Sequence, residues 1–341
     1  MSTAPLEFFV LTGFLGSGKT TLLRDFLEGP DAADSAVIVN EVGEIGLDGI
    51  VLRESDDSVP MAMLSNGCVC CQIGSDLAYT IDRLIVGPRP PGAGPLRRII
   101  LETSGLSMPG PVLRQLASLA QHRMKGAVVG TFDLARGTEP AAFEEAVAQW
   151  AAAHRIVTTK VDLASADDLA NAPSTIAEIN PLAEVIATKD RASAVRSAFA
   201  PLAATSPLRD IGPELKSAHP RLALCCVKPV TDVAYADLAA WLDNLAGVLG
   251  ERLLRIKGLV RVTEVKQPLL VESVGTVFSS PRPLQLADDA PSSFLIIIAR
   301  DTSQAELEPV APAGIFQFVS WQTPGSPTPN DRRLMKAEWV A

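Results

Sequence analysis

The chain has 341 residues, of which 47% are hydrophobic and 20% charged. This composition is typical of globular proteins, and the length is enough for two domains that each bury a core. The net charge of −9 at pH 7 argues against nucleic acid and against an anionic membrane as partners.

The N-terminus lacks the basic n-region of a signal peptide, and no apolar run approaches the roughly 18 residues that a membrane-spanning helix needs. We therefore expect a cytoplasmic protein. In that compartment thiols are kept reduced, so clustered cysteines indicate metal binding or redox chemistry more often than structural disulfides.

The first two hundred residues alternate short apolar, β-branched runs with helical patterns, which predicts an α/β fold. The predicted strands lie near Phe8 to Leu11, Ala36 to Asn40, Arg98 to Glu102, Ala127 to Phe132, Arg155 to Thr159 and Glu184 to Ala187. We expect a mostly parallel sheet with helices on both faces and ligands bound at the carboxyl ends of the strands.

A second domain is predicted after a proline-rich stretch. We assign 1–205 to the first domain, 206–220 to a linker and 221–341 to a smaller C-terminal α+β domain. The second domain opens with "LALCCVKPV", where Cys225 and Cys226 read as packing residues of a strand, and continues with the amphipathic helix "DLAAWLDNLAGVLG". Several strand-like runs follow this helix.

The segment "GFLGSGKT" fits the P-loop pattern, directly after one predicted strand and directly before a helix. In such a loop the backbone N–H groups bind phosphate, the lysine neutralises the β/γ oxygens and the threonine hydroxyl ligates Mg²⁺. The predicted nucleotide ligands here are Gly13, Gly16, Ser17, Gly18, Lys19, Thr20 and Thr21, with Lys19 and Thr20 also catalytic.

Three of the five cysteines lie within "NGCVCC", at Cys68, Cys70 and Cys71. Sulfurs at Cys68 and Cys70 can point to one side of an extended turn and chelate one ion, and Zn²⁺ and Co²⁺ both accept thiolates. Two other interpretations stay open. The thiols could be buried apolar residues, or two of them could form a disulfide as a redox switch.

The predicted strand "RIILE" ends in Glu102, followed by Thr103, Ser104 and Gly105. An acidic residue at such a strand end can hold magnesium or its bound water, and we count Glu102 as catalytic. A glycine N–H close by can reach the γ-phosphate, so Gly105 is a candidate nucleotide ligand.

Another strand end carries Thr159, Lys160 and Asp162, similar to the N/T-K-x-D element with which GTPases recognise guanine. The Asp162 carboxylate can accept two hydrogen bonds from guanine, whereas adenine offers no matching pair of donors. The Lys160 stem is expected to lie along the plane of the base.

Together with "NEVGEIGLD", "ETSGLSMPGPV" and, in the second domain, "LLRIKG", these motifs make nearly the whole chain resemble the CobW-like GTPases. The resemblance implies a P-loop Rossmann-like GTPase domain with a C-terminal α+β domain. It further implies a GTP-driven metal chaperone or insertase, with zinc as the best-supported cargo and cobalt as another.

This sequence departs from the family pattern at three points. Val39 stands where relatives often have a glutamate, Thr159 replaces the commoner asparagine, and only three histidines are present, at 122, 154 and 219. The first departure removes one carboxylate that could bind metal. The last argues against metal storage.

The stretch "NEVGEIGLD" follows the second predicted strand, where small GTPases have a switch that responds to γ-phosphate and magnesium. We expect Glu44 to complete the transition-metal site of the three cysteines and Asp48 to contact the magnesium, which Thr20 and Glu102 also bind. Metal ligands on a nucleotide switch would couple hydrolysis to metal affinity.

The sequence thus predicts a Mg²⁺-dependent GTPase with slow intrinsic turnover that binds Zn²⁺ or Co²⁺ and delivers it to a client apo-metalloprotein. A homodimer is left open as its assembly. Two alternatives are a P-loop phosphotransferase, for which we find no arginine-rich lid, and a GTP-dependent regulatory module whose thiols sense oxidation.

Overall fold

A computed structural model describes residues 5–40, 61–64, 74–89, 94–117, 122, 124–202, 219–285, 293–312 and 314–321. The chain divides into two compact units. The first comprises Met1–Leu208 and Val274–Val277, and the second Arg209–Ser273 and Phe278–Ala341. Within the described ranges, no helix has the length and apolar character that crossing a membrane requires.

The first unit contains a parallel sheet of seven described strands in the order β3-β2-β4-β1-β5-β6-β7. The strands are β1 Glu7–Thr12, β2 Ser35–Asn40, β3 Met61–Leu64, β4 Arg98–Glu102, β5 Lys125–Asp133, β6 Arg155–Thr159 and β7 Glu184–Ile186. The helices are α1 Lys19–Leu27, α2 Gly74–Val86, α3 Pro109–Ala117, α4 Glu144–Ala152, α5 Ala166–Ala177 and α6 Arg191–Ala198, with 3₁₀ turns at Pro30–Asp34 and Glu139–Ala142.

This architecture confirms the predicted α/β fold, and each of the six predicted strands is present. The strand β3 is an addition that the sequence did not reveal. Its four residues, "MAML", form a short run without β-branched side chains, and pairing with β2 supplies what their weak β propensity does not.

Both faces of this sheet are covered by helices. On one face Phe9 and Phe26 contact Phe199, which follows α6, with ring centroids 5.7 Å and 4.9 Å apart. On the other face Phe132 of β5 contacts Trp150 of α4 at 5.1 Å. The sheet is therefore a buried central layer, as expected for parallel strands.

The second unit is an antiparallel sheet with a helix packed against it, which confirms the α+β prediction. Its path of six strands has the order β11-β10-β9-β13-β8-β14, and β12 pairs with β10. The strands are β8 Leu222–Pro229, β9 Leu253–Val262, β10 Val265–Val274, β11 Val277–Phe278, β12 Arg282–Pro283, β13 Phe294–Arg300 and β14 Phe316–Trp321. The helices are α7 Tyr235–Leu249 and α8 Gln304–Leu307, with 3₁₀ turns at Gly250–Arg252 and Glu308–Val310.

The core of the second unit forms between this sheet and α7. The predicted apolar stripe of α7 is buried throughout, and Trp241 stacks on Phe316 with ring centroids 4.0 Å apart. Cys225 and Cys226 are both buried in β8, and burial raises the pKa of each thiol. They are packing residues, as their place in a strand predicts.

The division of the chain at Leu208 falls inside the predicted linker, 206–220. Of that linker, only residues 219 and 220 belong to the described part of the chain. The predicted domain limits therefore stay predictions.

Replacing Phe199 with alanine should destabilise the first unit, because Phe199 is 1% exposed and contacts two other rings. We expect Phe199→Ala to lower the free energy of unfolding by about 3–5 kcal/mol, measured by urea unfolding with circular dichroism. The matched control is Phe143→Ala, at a ring that is 51% exposed, with an expected loss below about 1.5 kcal/mol. Equal losses of unfolding free energy in the two variants would show that Phe199 does not stabilise the core of the first unit.

Candidate functional site

Four loops meet at the carboxyl edge of the parallel sheet. The P-loop follows the central strand β1, and the neighbouring strands β4 and β5 end in Glu102 and Asp133. One strand further out, β6 ends at Thr159, directly opposite Asp133. Because all these strands are parallel, the motifs that follow them converge on one side of the sheet.

The P-loop forms a tight turn at the start of α1. Gly16 and Gly18 have positive φ angles of 70° and 87°, which side chains with a Cβ rarely adopt, and α1 begins at the next residue, Lys19. The loop is closed by the hydrogen bond from Ser17 N–H to the Phe14 carbonyl, 3.1 Å. Helix α1 therefore presents its N-terminus, the positive end of its dipole, to this loop.

Lys19 is only 8% exposed and lies over this turn. Its ammonium donates to the carbonyls of Gly13 and Phe14 at 2.8 Å and 3.3 Å. The positive charge is thereby held within the P-loop, where a phosphate ester would need it.

The predicted magnesium ligands Thr20 and Glu102 contact each other. The Thr20 hydroxyl donates to Glu102 Oε1 at 2.6 Å, and Glu102 is 5% exposed. A hydroxyl oxygen and a carboxylate at the edge of a phosphate loop are the hard oxygen donors that Mg²⁺ prefers. The donor set therefore fits the ion that the P-loop motif implies.

The loop after β4 is fastened to the rest of the site. Thr103 donates to the Leu11 carbonyl from both its N–H and its hydroxyl, at 3.0 Å and 3.2 Å. Gly105 is buried, and a Cβ at this position would lie 2.8 Å from the Leu15 nitrogen. The P-loop and the Gly105 loop are thus in direct contact, and only glycine fits between them.

Sequence reasoning missed Gln149, which lies on α4 and is fully buried. Its side-chain amide donates to the carbonyls of Gly105 and Ser107, at 2.9 Å and 3.0 Å. One signal was available. Gln149 is a polar residue within "AVAQWAAA", in a helix whose neighbouring residues are apolar.

The element that resembles a guanine-recognition motif is joined to the P-loop through Thr159. Its hydroxyl donates to the Ser17 carbonyl at 2.8 Å, with the Phe132 carbonyl at 3.3 Å. Ser17 is also held on its other side, because its hydroxyl lies 2.6 Å from that of Thr131 on β5. The threonine that departs from the family pattern therefore links the two loops.

Sequence reasoning also missed Asp133. This carboxylate, 3% exposed, accepts a hydrogen bond from Lys160 Nζ at 2.6 Å and another from the Ala135 N–H at 3.0 Å. Lys160 has a φ of 52°, in the left-handed region that few residues with a side chain adopt. The ion pair fixes the lysine side chain. The sequence did carry a signal for Asp133, because the apolar strand β5 ends in this acidic residue, just as β4 ends in Glu102.

Three predicted ligands lie at the surface of this region. Gly16 and Thr21 are exposed on the P-loop and the first turn of α1, and Asp162 is exposed in the turn between β6 and α5. Their predicted roles in nucleotide binding stay predictions.

The predicted transition-metal ligands Cys68, Cys70, Cys71 and Glu44 lie outside the described residues, as does Asp48. Among the residues that are described, no group of three or more histidine, cysteine, aspartate or glutamate side chains is arranged to hold a metal ion. The metal motif therefore stays a prediction.

Comparison with known proteins identifies the family of this chain. The model of the CobW/HypB/UreG nucleotide-binding domain matches residues 7–187, more than half of the chain. The chain belongs to the CobW/HypB/UreG family. The model of the cobalamin synthesis protein cobW C-terminal domain also matches, over residues 225–309. The CobW resemblance inferred from the motifs is confirmed.

Relatives of this CobW-family chain match it over most of its length. The zinc chaperone CobW of Pseudomonas aeruginosa is 31% identical, over 89% of this chain and 90% of that protein. The zinc chaperone YjiA of Escherichia coli is 26% identical, over 89% and 96%. The crystal structure of Zn(II)-bound YjiA GTPase from E. coli matches with a TM-score of 0.62 at 23% identity, covering 90% of this chain and 98% of that one, which shows a shared fold.

Neutralising Asp133 in this CobW-family protein should weaken nucleotide binding without favouring one phosphate state. Asp133→Asn removes the charge that holds Lys160, so we expect the Kd values for GTP and GDP to rise together, by about tenfold. The measurement is fluorescence titration with both nucleotides.

The matched control is Glu184→Gln, which neutralises the carboxylate paired with Arg155 at 2.9 Å, at the start of the neighbouring strand β7. It should leave both Kd values unchanged. Unchanged Kd values in Asp133→Asn would show that the ion pair does not serve the nucleotide site.

Proposed function

We propose that the chain is a GTP-hydrolysing metallochaperone, which binds a transition metal and delivers it to a client apo-metalloprotein. The observation that carries the GTPase part is the Thr20–Glu102 hydrogen bond of 2.6 Å beside the P-loop lysine. The relatives named zinc chaperones, which match nearly end to end, support the chaperone part.

The phosphate end of GTP would be held by the P-loop N–H groups of residues 16–21 and by Lys19. Thr20 and Glu102 would hold Mg²⁺, which supplies positive charge to the β- and γ-phosphate oxygens. Water is the nucleophile. The contribution of the chain is to keep the phosphates in place and to stabilise developing negative charge through the Lys19 ammonium and the loop amides.

The base end would be recognised by the residues after β6. Lys160, fixed on Asp133, would cover one face of guanine, and Asp162 would accept from its N1–H and N2–H₂ groups. Asp162 is exposed, so its carboxylate is accessible to a ligand. Selectivity for guanine over adenine follows from this acceptor pair.

The cargo site would combine Cys68, Cys70 and Cys71 with Glu44, while Asp48 would serve the magnesium side. Strand topology supports this grouping. Asn40 and Leu64 are opposite each other at the ends of the parallel strands β2 and β3. Glu44 and Cys68 each follow four residues later, a reach of roughly 14 Å at full extension. Both segments therefore start at neighbouring points of the edge that carries the P-loop.

Zinc is the proposed cargo, because thiolates with one carboxylate suit it and the matched relatives are named for it. Cobalt shares these ligand preferences and is the second candidate. The client is a protein that acquires this metal, and dimerisation of the chain is a further proposal. We expect intrinsic GTP turnover to be slow and to rise when metal or client binds.

Removing the P-loop ammonium should abolish hydrolysis. Lys19→Ala should lower kcat for GTP by about 100-fold or more, because the site loses its buried positive charge. Release of inorganic phosphate under single-turnover conditions provides the measurement. The control Lys125→Ala changes an exposed lysine at the opposite end of the sheet and should retain full activity. Normal hydrolysis in Lys19→Ala would refute the assigned site.

The metal assignment is tested by titrating the reduced protein with Co²⁺ and Zn²⁺ in the presence of GDP or a non-hydrolysable GTP analogue. We expect a thiolate-to-Co²⁺ charge-transfer band in the wild type, its loss in Cys70→Ala, and different metal affinities in the two nucleotide states. Cys226→Ala, which changes a buried thiol of β8, is the control and should keep the band.

A missing band in every nucleotide state would overturn the metallochaperone proposal and leave the thiols structural or redox-active. Equal metal affinities with GDP and with the GTP analogue would overturn the coupling of metal release to hydrolysis.

A further inference from the structure

Gln149 has an arrangement that core packing does not explain. Its side chain is fully buried, and both of its amide hydrogens are used, on the Gly105 and Ser107 carbonyls. The remaining polar atom of that side chain, Oε1, is buried and has no hydrogen-bond partner. A buried carbonyl without a donor is costly, so leucine or methionine would suit the packing better. The two donated hydrogen bonds are therefore what glutamine adds here.

These hydrogen bonds fix the peptide groups around Gly105. The Ser107 N–H donates to the Ser104 carbonyl at 3.0 Å, and Gln149 holds the next carbonyl, that of Gly105. In a trans peptide the N–H points opposite to the carbonyl. The Gly105 N–H therefore points away from the Ser107 side of the turn, and Gln149 prevents the following peptide from rotating.

The opposite side of Gly105 is also closed. An added Cβ would lie 2.7 Å from Leu15 Cδ2 and 2.9 Å from its Cα, so the glycine backbone lies against the P-loop. Gln149 and Leu15 hold the loop from two sides, α4 and the P-loop. The orientation of the Gly105 peptide is thus set before any nucleotide binds.

We propose that Gln149 is a positioning residue that orients the Gly105 peptide, and that it thereby strengthens the binding of a nucleoside triphosphate relative to the diphosphate. This role rests on the proposed GTPase function and on the sequence prediction that the Gly105 N–H binds the γ-phosphate. Only the triphosphate has that group. Loss of the Gln149 hydrogen bonds therefore weakens triphosphate binding and leaves diphosphate binding intact.

A purely structural side-chain amide is available in the same unit as a matched control. Asn180 is 1% exposed and donates to the carbonyls of Trp150, Ala151 and Ala153, at 2.8, 3.1 and 2.9 Å. These carbonyls lie at the end of α4, whereas Gln149 reaches the Gly105 loop. Asn180 and Gln149 thus perform the same chemistry on different targets.

The experiment compares the wild type with Gln149→Met and Asn180→Leu, each close in shape to the original side chain. Kd values for GDP and for a non-hydrolysable GTP analogue are measured by calorimetry with Mg²⁺ present, and Tm is measured for each variant. Gln149→Met should raise the Kd for the GTP analogue about tenfold and change that for GDP less than about twofold. Asn180→Leu should lower Tm and leave the ratio of the two Kd values unchanged.

A second variant guards against a folding failure. In Gln149→Glu burial would keep the carboxyl protonated, with one O–H to donate where glutamine donates two hydrogen bonds, so the ratio should shift in the same direction as in Gln149→Met. If both folded variants weaken the two nucleotides equally, or if Asn180→Leu shifts the ratio as well, the positioning role is wrong. If the wild type binds neither nucleotide, the proposed GTPase function is overturned and the role of Gln149 with it.

Discussion

The placement of β1 between β4 and β5 is the constraint on which the rest of the site depends. Because the three strands are parallel, the P-loop emerges between the ends of β4 and β5, beside Glu102 and Asp133. The hydroxyl at the start of α1 then meets a carboxylate without a long connecting loop. A change of strand order would separate these groups even if every motif were retained.

The loops at this edge are held mainly by side chains that donate to main-chain carbonyls. Lys19, Thr159 and Gln149 each do so, on the P-loop or on the Gly105 loop. Such bonds satisfy carbonyls that a loop would otherwise leave without donors, and they leave backbone N–H groups available to phosphate.

Local patterns were enough to predict the strands, the P-loop and the buried stripe of α7, because period and turn residues report directly on local structure. They were not enough for Gln149 and Asp133. Gln149 acts on residues more than forty positions earlier, and Asp133 on a lysine 27 positions later. Neither of these two sequence separations belongs to a known sequence motif. Strand β3 was missed for a different reason, since its four residues include no β-branched side chain and the strand is recognised through its pairing with β2.

The two ends of the nucleotide would be supported by different parts of the fold, and this separation has a mechanistic consequence. Asp133 and Lys160 join β5 to β6, whereas Gln149 joins α4 to the loop after β4. Among the described residues no hydrogen bond links Asp133 directly to Gln149, so in the proposed function a change at the γ-phosphate would reach the Gly105 loop without passing through the base contacts. The P-loop contacts both regions, through Thr159 and through Leu15, and in the proposed function it would hold the phosphates that GTP and GDP share. In the proposed GTPase, the base contacts and the P-loop would therefore stay engaged during hydrolysis, and the contact of Gly105 with the γ-phosphate would be the one that is lost.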